Sequence, residues 1–508
     1  MELTLNPGEL GVCVCRQEET ARQSLDEDYT LPDYCAPIRR ILKCVLQPNI
    51  SGVSRTGDRV SAGGEIGIRL IYVNEDDRID CCEQTCTLSV SAQMRDLSAQ
   101  AVVTAAAAVE YVNCRATGQR KFSVSAAVSV RFCALERSGV QLASQPEGRK
   151  IEAKTQTLSC LNLVSVSEKR FDLSETVALQ TEQPSIGSLL QADAVVKITS
   201  RKAVSEKLLL QGVCEVHIVY RADTRDGEIT RLVHTLPVSQ VLDVPGATED
   251  GVCDTRISVC ALQTMVRADG AGENRLLELA VKVAALTKAY EKIEQPVILD
   301  CYATDGAILP SYETRAFLSA GDFLELRTAV RETLDLGGIK AAAVHDVYLL
   351  KTETAVRAAE DGPAAELQLL FRLLLTDSEG QLQYAERSVT VSVPLRTQTD
   401  SAIELTPAVV AEQLTASVTD GAVQVSFDCL LRGQIYLLHN VRVCVKIEAD
   451  DTTVPNEKSA LTLCFAQKGQ TLWEIAKQYQ TTCDLIRAEN DLQEDPLAAD
   501  RMLLVPSA

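Results

Sequence analysis

Apolar and polar residues alternate along most of this chain, with a period of two. Cys214, Val216, Ile218 and Tyr220 are interleaved with Glu215 and His217, and the runs 122–130 and 423–427 read the same way. Such alternation predicts half-buried β-strands. The alanine-rich run 101–109 suits helix or strand; its valines and its place before a turn favour strand. Only the last fifty residues change period. Leu472, Ile475, Ala476 and Tyr479 share one helical face, and Thr471 with Glu474 spells a capping box in front of them.

The strand pattern comes three times. A strand leading into a charged turn ends at Tyr72, Tyr220 and Leu375, which are 148 residues (72 to 220) and 155 residues (220 to 375) apart. A second strand returns in each copy over 79–90, 229–241 and 382–393. A glycine turn then follows at Gly118, Gly272 and Gly421, at offsets of 46, 52 and 46 residues from the first landmark (72 to 118, 220 to 272, 375 to 421). Two landmarks in register point to a triplicated unit. Short apolar segments at 38–42, 186–190 and 334–339 stand upstream as single helical turns or strands. The expected architecture is mainly β: three tandem antiparallel, sandwich-like domains over 1–150, 151–295 and 296–447, a polar linker over 448–460 with Pro455, and a small α+β unit over 461–508.

That last unit reads strand, helix, helix, strand. Leu461 to Phe465 alternate, Lys468-Gly469 breaks the pattern, and the capped helix follows. Thr481 is placed to cap a second helix, with Leu485, Ile486 and Ala488 facing inward and Asn490 ending it in the left-handed conformation. Met502 to Val505 forms the closing strand, stopped by Pro506. The run Lys468 to Ala476, with Tyr479, Leu485, Asn490 and the closing Leu503 to Pro506, resembles the LysM domain. Members typically bind N-acetyl-sugar polymers between the first strand–helix loop and the second helix–strand loop. Here Gln470 stands where the family usually has aspartate, and Asp500 stands near the usual glycine of the last turn. The resemblance therefore implies a docking site at Gly469, Gln470, Thr471, Leu472 and Trp473 on one loop and Asn490, Asp491, Leu492, Glu494 and Asp495 on the other, for a glycan or a protein. Trp473, at the second helical position, serves either the small core or that docking surface.

Composition narrows the function. The chain has 508 residues and a formal charge of −20, which argues against nucleic acid and anionic membrane surfaces. The first residues lack the basic and apolar regions of a secretory signal, and no uncharged apolar run is long enough to span a bilayer; 367–375 is short and holds Arg372. Eighteen cysteines are mostly scattered singly in strands, where a thiol acts as a small hydrophobe. The clusters Cys13/Cys15 and Cys81/Cys82/Cys86 lack the spacing of a structural zinc site, so reduced cysteine and no metal are expected. His217, His234, His345 and His439 stand in no nucleophile setting, paired acids such as Asp76-Asp77 fall in turns, and the glycines at 63, 64 and 67 lead into a strand, not a phosphate-binding helix. No catalytic residues and no cofactor are expected. With one tryptophan and few other aromatics, the β domains are poor sugar platforms.

Tandem β units of this length, entered through a segment like Leu31-Pro32-Asp33 with Ile38 to Leu42 and carrying the strand Gly64 to Tyr72, resemble SPOCS domains. SPOCS units followed by one LysM domain are the layout of a spore-coat assembly family of endospore-forming bacteria. The resemblance implies a non-enzymatic scaffold in the mother-cell cytoplasm, at the forespore surface, whose LysM domain docks on a spore-coat morphogenetic ATPase. The alternative is a peptidoglycan-binding protein of the cell wall, the spore cortex or a phage-like tail. The missing signal and the altered loops favour the scaffold. The LysM segment has four basic against seven acidic residues, a net of −3, and Glu489, Asp491, Glu494 and Asp495 crowd the border of the ligand groove. That charge suits a basic protein patch better than an uncharged or anionic glycan.

Overall fold

The computed structural model describes residues 8–143, 150–359, 362–395, 402–405, 407–450 and 459–507. The alternating segments are strands. The first unit runs β1 (Gly8–Thr30), β2 (Ile38–Thr56), β3 (Arg59–Asn74), β4 (Ile79–Gln93), β5 (Val102–Gly118) and β6 (Lys121–Leu142). It forms two antiparallel sheets, in orders β1-β6-β5 and β2-β3-β4. Val60, Ala62, Ile66, Ile68, Leu70 and Tyr72 of β3 face Phe122, Val124, Ala126, Val128, Val130 and Phe132 of β6 in one buried core. The period of two puts every second side chain on that inner face. The ambiguous alanine-rich run lies in β5, and each upstream segment of the first two units opens a strand.

The same order recurs. The second unit runs β7 (Ile151–Ala178), β8 (Ile186–Val204), β9 (Lys207–Ala222), β10 (Ile229–Asp243), β11 (Val252–Ala268) and β12 (Asn274–Ala303), with sheets β7-β12-β11 and β8-β9-β10. The third runs β13 (Ala307–Leu334), β14 (Ala341–Ala359), β15 (Gly362–Asp377), β16 (Leu382–Pro394), β17 (Ala402–Leu405), β18 (Ala408–Thr419) and β19 (Ala422–Asp450). Its sheets are β14-β15-β16 and β13-β19, with β17 and β18 both paired to β19 in the place of one fifth strand. The glycine turns at 118, 272 and 421 join the fifth and sixth strands of each unit. The segment 334–339 departs from its counterparts: it is the end of β13 and the turn before β14.

The first and last strands of each unit outrun the sandwich as two-stranded ribbons. β12 pairs with β7 from Leu276↔Ala178 to Ala303↔Ile151, and β13 pairs with β19 from Ala307↔Asp450 to Leu334↔Val423. The three ribbons bury a shared cluster of Leu10 and Leu142, Cys160 and Val297, and Phe317 and Val443. Gly11 permits the close approach, because a Cβ there would lie 2.3 Å from the Leu163 carbonyl oxygen. Matching strands also meet: Ile71, Val219 and Leu374, each one residue before its strand landmark, share a second apolar cluster. The divisions expected at 295/296 and 447/448 fall inside β12 and β19. The ribbon registers place the junctions instead at the turn 304–306 and at the end of β19. Most of the expected linker, 451–458, lies outside the described residues.

The chain ends in β20 (Leu461–Ala466), α1 (Leu472–Tyr479), α2 (Cys483–Glu489) and β21 (Arg501–Pro506), with β20 antiparallel to β21. No helix is long and apolar enough to cross a membrane among the described residues.

Candidate docking site

Local chemistry fixes the terminal unit. The Thr471 hydroxyl accepts from the Glu474 N–H at 3.2 Å, and the Glu474 carboxylate accepts from the Thr471 N–H at 2.9 Å, closing the capping box. Leu472, Ile475, Ala476 and Ile486 pack with Cys464, Leu503 and Val505. The second helix differs from its sequence reading. Its cap is Thr482, which accepts from the Leu485 N–H, while Thr481 is fully buried. Leu485 and Ala488 are exposed, because a helix of seven residues turns only one narrow face, that of Ile486, to the core. Asn490 is not left-handed (φ −112°); Asp491 is (φ 51°). Asn490 instead ties the helix to the last strand. Its amide donates to the carbonyls of Ile486 at 2.8 Å and Leu504 at 2.7 Å, and its oxygen accepts from the Leu504 N–H at 2.8 Å.

The two loops named as the docking site are brought together and bonded to each other. The Gly469 N–H donates to the Leu497 carbonyl at 2.8 Å, and the Leu497 N–H donates to the Gln470 carbonyl at 3.0 Å. Asp495 accepts from the Leu472 N–H at 3.0 Å, and Asp500 accepts from the Lys468 N–H at 2.7 Å. Gly469, at φ +88°, makes the turn that permits this closure. Asp495 therefore also satisfies a free amide at the start of α1. Leu472 and Leu492 are buried, so their side chains leave the surface. Gly469, Asp491, Glu494 and Asp495 are exposed, and Gln470, Thr471, Trp473 and Asn490 are half-buried.

Trp473 packs half-buried against the edge of the small core, as one of its two readings has it, and is also anchored outside that unit. Its indole N–H donates to Asp300 at 2.8 Å, and its ring meets Tyr302 edge to face at 5.0 Å. Both partners lie at the end of β12. Lys477 pairs with Asp300 at 2.5 Å, the Tyr302 hydroxyl donates to the Thr481 carbonyl at 2.7 Å, and Gln480 donates to the Gly306 carbonyl at 3.2 Å. Burial opposes ionisation of Asp300, but hydrogen bonds from Lys477, Trp473 and Tyr312 outweigh it and hold the carboxyl below its usual range. The first helix is thus seated on the end of the ribbon layer, with the acidic residues after α2 exposed. Asp300, Tyr302 and Tyr312 escaped the sequence reading, because nothing in a strand that alternates marks the residues meeting a distant helix.

A family model described as SipL, SPOCS domain, matches residues 185–266, and a LysM domain model matches residues 466–506. The first match runs from the start of β8 to near the end of β11. No curated protein and no solved structure matches the chain. The chain is thus SipL-like in organisation, with a SPOCS domain in its second β unit and a LysM domain at its C-terminal end.

Proposed function

We propose that this protein is a non-enzymatic scaffold of the endospore envelope, docked through its LysM domain onto a spore-coat morphogenetic ATPase at the forespore surface on the mother-cell side. The SPOCS and LysM matches support a sporulation-related scaffold carrying a module of the peptidoglycan-binding kind. The step from glycan to protein rests on one observation. The two loops are bonded to each other, and the exposed surface beside them carries Glu489, Asp491 and Glu494. A carboxylate rim adds nothing to an uncharged sugar, repels an anionic wall polymer and steers a basic protein patch. The repeated strand order supports reading the first and third units as SPOCS-like adaptors as well. A fluorescent fusion followed through sporulation tests the proposal. A shell around the forespore supports it, and signal confined to the cell wall or cortex sinks it in favour of peptidoglycan binding.

A further inference from the structure

Cys15 and Cys133 are far apart in sequence, yet their sulfurs stand 2.9 Å apart on the sheet of the first unit. The topology makes the contact. β1 and β6 pair along their length, but the register slips between Cys15 and Gln17, leaving Arg16 without a partner. Before the slip Cys15 faces Leu135, and after it Glu18 faces Cys133. This β-bulge bends β1 so that the Cys15 side chain reaches a residue it would otherwise meet only diagonally. The Glu18 carboxylate completes the group, with all three ligating atoms within 4.8 Å of one another. Arg131 lies 3.6 Å from Glu18.

Three other thiol pairs lie close enough to perturb each other's ionisation: Cys35 with Cys82, Cys44 with Cys114, and Cys301 with Cys444. Each contains at least one buried cysteine, whereas Cys15 is exposed and Cys133 half-buried. A metal fits the exposed group poorly. Two sulfurs on one tetrahedral zinc stand ~3.8 Å apart, and a structural site takes about four ligands. A disulfide needs ~2.0 Å, which a small movement of two surface side chains supplies.

We infer that Cys15 and Cys133 form a reversible dithiol–disulfide couple that answers to hydrogen peroxide. The exposed Cys15 thiolate attacks a peroxide oxygen, the O–O bond breaks, and hydroxide leaves with the electron pair to become water. The resulting sulfenic acid is attacked by the Cys133 sulfur. The S–S bond forms, the sulfenic oxygen leaves as a second water, and Glu18 is placed to take the Cys133 proton on its way to that water. Two thiols and one peroxide give one disulfide and two waters. A thiol reductant reverses the change. The disulfide pins the register of β1 on β6 at the bulge, beside the cleft of about 600 Å³ that Cys13, Glu18 and Cys133 line with Tyr290 and Tyr436 of the other two units.

The test uses the full chain, reduced, desalted and exposed to limiting hydrogen peroxide, followed by alkylation and peptide mapping. The expected result is a Cys15–Cys133 linked peptide that forms about tenfold faster than any other thiol is lost, in line with exposure-controlled reactivity. It returns to two alkylated cysteines after reductant. Cys133→Ser should leave a sulfenic acid at Cys15 that dimedone traps, and Cys15→Ser should abolish the linked peptide. The inference is overturned if Cys15 and Cys133 stay alkylatable while other thiols react. It is also overturned if stoichiometric zinc binds to the wild type, is lost in Cys15→Ser, and blocks the disulfide, since the group is then a metal site.

Discussion

Asp300 accepts a hydrogen bond from the indole of Trp473 at 2.8 Å across 173 residues of sequence. With the Lys477–Asp300 pair and the bonds from Tyr302 to Thr481 and from Gln480 to Gly306, this contact joins the LysM domain to the end of the ribbon layer, and together they shape what the terminal module presents. The helix α1 is engaged inside the molecule, and the acidic stretch after α2 is left exposed.

Seating of the LysM domain is expected to depend on that carboxylate. Hydrogen bonds to charged groups are worth ~1.5–3 kcal/mol. Asp300 and Lys477 are partly exposed, at 27% and 43% of their side-chain surface, so solvent screening lowers the share of their ion pair to under ~1 kcal/mol. Asp300→Ala should loosen the domain without unfolding it. Hydrogen–deuterium exchange should rise at 472–480 and at the end of β12, while protection of β6 and β15 stays unchanged. Unchanged exchange at 472–480 would show that the seat does not need Asp300.

The same seat should fail in acid. The Asp300 carboxyl is held below its usual range in the folded chain, so its contribution is fully present above the unfolded carboxyl value of 3.8 and is lost as pH falls through the lower folded value. Small-angle scattering from pH 7 down to pH 3 should show the particle lengthen only at the acid end. Asp300→Asn should remove that transition.

A buried charge closes the seam between the second and third units. Arg372, 2% exposed in the middle of an apolar strand, pairs with Asp193 of β8 at 2.6 Å and with Asp346 of β14 at 3.0 Å, and it lies over the Tyr348 ring. Removing one partner of a buried pair costs ~3–5 kcal/mol, because the other charge stays unpaired. Arg372→Ala should therefore lower the melting temperature strongly. Adding Asp193→Asn and Asp346→Asn should recover part of the loss. A lone Arg372→Ala melt indistinguishable from wild type would contradict the buried triad.

Asn490 is expected to act through folding and not through contact with a partner. Two of its side-chain hydrogen bonds join α2 to Leu504 of β21 and a third holds the Ile486 carbonyl at the end of α2, so Asn490→Ala should destabilise the LysM domain by ~2–3 kcal/mol, taking ~1 kcal/mol for each bond. Denaturant melts followed by the fluorescence of Trp473, the one tryptophan, read this directly. A partner-binding defect with an unchanged melt would move Asn490 back to the docking surface.

Local pattern made the strands, the three copies and the capping box legible. Val124, Val128 and Phe132 announce their inner face by period, and Thr471 with Glu474 needs only its own helix. What stayed hidden lies between elements distant in sequence. Arg372 marks its strand as unsuited to a membrane, but its partners Asp193 and Asp346 come from two other strands. Cys15 meets Cys133 only because β1 pairs with β6 and slips by one residue. Trp473 packs against the small core, a role its sequence position offered, but its bonds to the end of β12 carry no local signal. The unit divisions read at 295/296 and 447/448 fall inside β12 and β19 because the ribbons keep the alternation of the sandwich strands and carry no turn signal at those positions.

In the proposed scaffold the LysM domain docks on protein through its acidic rim. The direct measurement compares wild type with the triple variant Glu489→Lys, Asp491→Lys and Glu494→Lys in binding to the purified morphogenetic ATPase and to insoluble peptidoglycan, each at low and high salt. Asp495 is left in place because it satisfies the start of α1. The expected result is ATPase binding that weakens with salt and by about tenfold or more in the variant, with little retention on glycan. Strong retention on peptidoglycan, independent of salt and of the charge reversal, with no binding to the ATPase, would contradict it.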